Sequence, residues 1–236
     1  MPVRRSGEFL VFEQAGAFGG ALGIESERVQ ECLDHFLASD YSRLFISRNF
    51  GYVGRDLDFL KQLASKVQSI WAWDLKLDSI DGLYACQGLQ SLGLNESNRP
   101  GIDFSRLPQL EHLYLGWHGN DRHLADQAAL VKLHLSEVNP ASRSLGDVEL
   151  PSRCTGAVKF RATNVTSLKG VGGLQGVRRF ELNVGSHLIA LDGIEQIGGC
   201  LERVVVGQCP RLRDLGALRR LPKLMSATIN GNAVSL

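Results

Sequence analysis

The chain is poor in the features that mark several large protein classes. None of its stretches approaches the ~18 consecutive apolar residues that a membrane-crossing helix requires, although 44% of the 236 residues are hydrophobic. Residues 1–24 open with Arg4 and Arg5, yet Glu8 and Glu13 interrupt the place where the apolar core of a signal peptide would stand, so a cytoplasmic protein is expected. Cysteine is scarce: Cys32, Cys86, Cys154, Cys200 and Cys209 are odd in number and unpaired in spacing. Buried free thiols are expected in preference to a disulfide framework or a zinc site.

The arrangements that carry catalysis are missing too. No Ser/His/Asp or Cys/His set has the turn context that activates a nucleophile, so an enzyme is not expected. His112, His118, His123 and His134 fall within 23 residues, but no His/Asp/Glu triple has ligand geometry and no metal is expected. Gly170, Gly172, Gly173 and Gly176 lack the helix-opening GK[ST] of a phosphate loop, so no nucleotide or other cofactor is implied. The sequons at Asn95 and Asn164 mean little without secretion.

What is present is a repeat. Leu89–Trp117 contains one phrase twice, Leu89-x-x-Leu92-x-Leu94 and Leu110-x-x-Leu113-x-Leu115, offset by 21 residues. The alternation at its end places two leucines on one face of a short strand. Anchored at Tyr41, Val67, Leu89, Leu110, Leu130, Ala157, Val177, Leu201 and Leu224, the fourth and sixth positions are apolar in all nine phrases, from Leu44 and Ile46 to Ala227 and Ile229. In the sixth phrase they are Phe160 and Ala162. Between phrases the apolar residues mostly step by three, as in Leu212-x-x-Leu215-x-x-Leu218-x-x-Leu221, which suits 3₁₀ turns.

A phrase of this form at periods of 20–29 residues marks a leucine-rich repeat. The chain resembles the leucine-rich-repeat superfamily, and its return segments are most similar to the short, internalin-like bacterial class. The resemblance covers about four-fifths of the chain. It implies an α/β solenoid, right-handed, with a parallel concave sheet and short helical or 3₁₀ convex segments. Its departure is at the ninth phrase position, where only Asn49, Cys209 and Asn232 fit the Asn or Cys of the family, so the buried asparagine ladder is mostly missing.

The domain reading is an N-terminal cap at residues 1–40 and a solenoid of about nine repeats at 41–236. Glu8–Glu13 reads as a short strand, and glycines 16, 19, 20 and 23 lie outside the repeat register. Ser26–Leu37 reads as an amphipathic helix with Ser26 as N-cap, the candidate for covering the first coil. A second helix is expected at about Asp56–Ser65. The 27-residue step from Leu130 to Ala157 holds Asn139-Pro140 and Leu150-Pro151 and should bulge as a surface loop. After the last phrase there is little room for a cap, so the final strand is expected to be shielded by its own polar residues or by another chain.

Packing does not dictate the third, fifth, seventh and eighth phrase positions, so function should be legible there. All three tryptophans stand at them: Trp71, Trp73 and Trp117. Phe45, Tyr114, His112 and His134 join them, together with a basic row of Lys132, Lys159, Arg161, Arg179 and Arg203. Surface Trp, Tyr and Arg are the residue types that dominate binding hot spots. The competing expectation is that the N-terminal cap or a loop folds over Phe45, Trp71 and Trp73. Like charges on adjacent rungs need an offset, either from Glu137, Glu181 and Glu202 or from an acidic partner, and the second is favoured. Charge is divided along the chain: residues 157–236 hold 11 Lys/Arg against 5 Asp/Glu, and residues 1–156 hold 15 against 20.

The expectation is a non-enzymatic recognition module that binds a protein partner with acidic patches on its concave face. An immunity protein or inhibitor of a toxin or enzyme is the specific form, and a scaffold or regulatory subunit the broader one. The alternative is nucleic-acid binding through the basic C-terminal half.

Overall fold

A computed structural model describes residues 3–13 and 20–235, so Gly16 and Gly19 lie outside the described residues. The chain divides into two compact units, residues 1–102 with 106–115 and residues 103–105 with 116–236.

In the first unit, β1 (Val3–Ser6), β2 (Phe9–Phe12), β3 (Ala21–Ile24), β4 (Arg43–Ser47), β5 (Ser69–Trp73), β6 (Ser91–Leu94) and β7 (His112–Gly116) lie side by side in chain order. The β1–β2 ribbon is antiparallel, β2 pairs antiparallel with β3, and every later pair is parallel. Leu22, Leu44, Ile70, Leu92 and Leu113 align across the strands, as do Ile24, Ile46, Ala72, Leu94 and Leu115, and all are buried. The parallel run therefore begins one strand before the first phrase. Helix α1 (Val29–Ala38) joins β3 to β4 in the place of a return segment, which differs from its reading as an end cap. Ser26 does not cap it; its hydroxyl accepts the Val53 amide at 2.8 Å instead. The helix expected at Asp56–Ser65 is a five-residue 3₁₀ segment, Asp58–Gln62.

In the second unit, β8 (Lys132–Ser136), β9 (Ala157–Arg161), β10 (Arg179–Asn183), β11 (Arg203–Gly207) and β12 (Ser226–Ile229) are parallel neighbours, and β13 (Asn232–Ala233) turns back against β12. Asn230 and Gly231 both have positive φ in this two-residue turn, the conformation that Asn-Gly hairpins favour. The edge of β12 is thus paired by the chain itself. Amides three residues on close the return segments: Leu218 to Leu215, Leu221 to Leu218 and Leu224 to Leu221. That is the bonding the three-residue steps predict.

Two expectations fail in this unit. The stretch between β8 and β9 does not bulge: Val138, Pro140, Leu145, Val148, Leu150 and Cys154 are buried, and Leu145–Asp147 forms a 3₁₀ turn. The sixth phrase is also two residues out of step. Leu133 and Leu135 pair with Val158 and Phe160, and Ala162 has left the strand with φ +52°. The corrected ninth position is Thr163. Its buried hydroxyl donates to the Val138 carbonyl at 2.8 Å, a ladder rung that the slipped register had hidden. Of the three residues expected to fill that position, Cys209 is buried while Asn49 and Asn232 are exposed.

Candidate functional site: the outer sheet face of each unit

In the first unit the fifth positions form a row, Gly23, Phe45, Trp71, Gly93 and Tyr114, set by strand register. The two glycines shape it. A Cβ on Gly93 would stand 2.6 Å from Cε3 of Trp71, so the indole occupies the space a side chain would need. Trp71 thereby reaches over β6 to Tyr114, with ring centres 5.6 Å apart. At Gly23 the same kind of vacancy is filled from the other side by Leu10 and Phe12 of β2. Phe12 stacks on Phe45 at 3.9 Å.

Phe45 is consequently 1% exposed, in a cluster with Leu10, Phe12 and Ala21. Its reading as a contact residue on an open face is corrected: the N-terminal ribbon covers it, because antiparallel pairing of β2 with β3 puts Phe12 on the outer side. Trp71 and Tyr114 are half-buried, and Trp73 is 37% exposed. The indoles of Trp71 and Trp73 lie nearly parallel, with centres 5.7 Å apart. Trp73 thus presents an aromatic surface held in place from behind.

His112 faces the same side, with Nδ1 3.2 Å from the Ser91 hydroxyl. Glu96 accepts the amide of Asp74, which has φ +54° in the turn after β5. Burial pushes the Glu96 carboxyl up.

The second unit carries the charges. The two-residue slip leaves Lys159 and Arg161 on the outer face, because a strand's side-chain period is two, but moves each by one rank. Lys159 aligns with His134 and Glu181, and Arg161 aligns with Ser136 and Asn183. Arg179 and Arg203 are direct partners, and the third-position row reads Lys132, Ala157, Arg179, Arg203. The row is therefore not continuous, since Ala157 interrupts it.

Glu181 stands between two of its members, 3.6 Å from Lys159 Nζ and 2.5 Å from Arg179 Nε. Part of the offset expected from an acidic partner is thus internal. Among the described residues no ion pair is made by Lys132, Arg161 or Arg203. His134 lies among these cations: burial, then Lys159 and Arg161, lower its pKa to about 4, so its imidazole is neutral at physiological pH. Trp117 belongs to this unit, half-buried after β7, its amide donating to the Ser136 carbonyl at 2.9 Å.

Cys32, Cys86, Cys154 and Cys209 are free, buried thiols, and burial raises their pKa values, that of Cys86 to about 11. Such thiols are not activated nucleophiles. Among the described residues no group of three or more His, Cys, Asp or Glu side chains is placed to hold a metal ion, and no helix is long and apolar enough to cross a membrane. Gly170 serves packing: with φ +105°, it leaves no room for a Cβ, which would stand 2.3 Å from the amide nitrogen of Gly146.

Sequence reasoning missed Phe12 and the gap at Gly93, whereas Glu181 was one of the two kinds of offset it weighed, the other being an acidic partner. A glycine at a fifth position was the available signal for the first unit, since it leaves a gap for a neighbouring ring. Compared with family models and with curated proteins, the chain matches none.

Proposed function

We propose that the chain is a leucine-rich-repeat protein of the short bacterial class, with the β1–β2 ribbon as its N-terminal cap, and that it acts in the cytoplasm as a non-enzymatic protein-recognition module. The observation that carries this reading is Trp73, exposed on the outer sheet face and backed by Trp71. Large rigid aromatics fixed before binding lose little entropy on association and act as anchors. The cations of the second unit, Lys132, Arg161 and Arg203 among them, favour a partner with acidic surface and speed its encounter. An inhibitor or immunity protein is the specific form of the proposal, and a scaffold or regulatory subunit the broader one.

Affinity capture from the source organism's lysate tests it, wild type against Trp73→Ala. Trp73 is preferred to Trp71 because removing the half-buried indole would also empty the space over Gly93. The expected result is a protein captured by the wild type and weakened by at least ~2 kcal/mol in the variant. Capture of that protein unchanged by Trp73→Ala would remove the aromatic site. Capture of nucleic acid alone, released by salt, would replace the proposal with the basic-surface alternative.

A further inference from the structure

At the rim where β10, β11 and β12 begin, Arg178, Arg179, Glu202, Arg203, Met225 and Ser226 line a cleft of about 410 Å³. Arg179 and Arg203 are in direct register. At a strand spacing of ~4.8 Å such like charges repel unless countered.

The countering is incomplete. Glu181 engages Arg179 through Nε and divides itself with Lys159, while Glu202 lies 3.6 Å from Arg178. Arg203 has no ion pair among the described residues. Beside them Met225 is 78% exposed, more than any other large apolar side chain described.

We propose that this cleft seats an extended acidic segment of a protein partner, its carboxylates on Arg203 and Arg178 and an adjoining apolar side chain on Met225. The inference rests on the protein-recognition reading above and adds the chemistry of the partner. A guanidinium takes a carboxylate through two parallel N–H donors, a match that a lysine cannot make. Methionine adapts its shape to whatever apolar group meets it. From β10 to β12 is two rungs, ~10 Å, which an extended chain covers in about three residues. The recognised segment therefore holds its acidic and apolar residues within about three positions of each other. A nucleic acid fits less well, because the cleft offers no aromatic ring for a base to stack on and Glu202 would face the phosphates.

The test is fluorescence anisotropy with the full chain and three labelled probes: a decapeptide of alternating glutamate and leucine, its glutamine counterpart, and decathymidylate. The glutamate peptide is expected to bind, and the glutamine peptide about tenfold more weakly. Arg203→Gln should weaken the glutamate peptide about tenfold and Met225→Ser several-fold, whereas Lys169→Gln, elsewhere on the surface, should leave it unchanged. Wild-type affinity in Arg203→Gln or in Met225→Ser overturns the proposal, as does equal binding of decathymidylate. Trp73→Ala separates this inference from the broader reading. Peptide binding kept in Trp73→Ala and lost in Arg203→Gln supports the cleft even where the capture experiment removes the aromatic site. A captured partner lost in Trp73→Ala but kept in Arg203→Gln overturns the cleft and leaves the recognition reading standing.

Discussion

The indole of Trp71 lies over the α-carbon of Gly93, in the space that any larger residue at that position would claim. Two strands thus share one outward side chain, and the platform behind Trp73 depends on a residue that has none. Gly93→Ala places a methyl group 2.6 Å from the ring, so the indole must move. The expected cost is ~1–3 kcal/mol, with a change in near-ultraviolet circular dichroism from the Trp71–Trp73 pair. An unchanged spectrum would show that the stacked pair does not depend on Gly93.

Lys66 closes the end of α1. Its ammonium donates to the carbonyls of Phe36 (2.6 Å), Leu37 (3.0 Å) and Ser39, where the helix leaves acceptors unpaired. Lys66→Met keeps the stem and removes the donors. Urea denaturation should show a loss of ~1–2 kcal/mol, and a loss within error would show that water satisfies those carbonyls equally well.

Thr163 stands in for one rung of an asparagine ladder. Thr163→Val keeps its volume but removes the buried hydroxyl that donates to the Val138 carbonyl and accepts the Val165 amide, leaving that carbonyl only the Asn164 amide at 3.4 Å. A destabilisation of ~1–3 kcal/mol is expected, larger than for the same substitution at the half-exposed Thr166. Equal costs at the two sites would argue against the rung.

His134 makes stability depend on pH. Its folded pKa, about 4, lies below the ordinary value of 6.5, so between these limits the unfolded chain binds the proton and the folded chain does not. The contribution of His134 is complete above pH 6.5 and is lost as pH falls toward 4. His134→Gln should flatten the profile of urea midpoint against pH in that window and leave its upper part unaltered in slope. A wild-type slope in the variant would place the acid sensitivity elsewhere.

Much of this was legible in the sequence, for a reason visible at particular residues. The phrase positions Leu92, Leu94, Leu113 and Leu115 alternate with a period of two, and that period alone assigns a side chain to core or outer face. The assignment withstood even the misplaced sixth phrase: an error of two residues moved Lys159 and Arg161 by one rank each but left both facing outward. An error of one would have buried them. The steps of three from Leu212 to Leu221 likewise specify 3₁₀ bonding locally, without help from the rest of the chain.

The strands, their inward and outward residues and the tight turns between them can be read from the chain directly, because each follows from spacing within a few neighbouring positions. Which outward residues remain exposed is settled by packing between distant segments. Phe45 is covered because an antiparallel ribbon delivers Phe12 to it, Trp71 is half-sunk because the next strand offers Gly93, and Arg179 is partly neutralised because β10 also carries Glu181 beside Lys159 of β9. Those outcomes depend on lateral register between segments far apart in the chain, which no local pattern encodes.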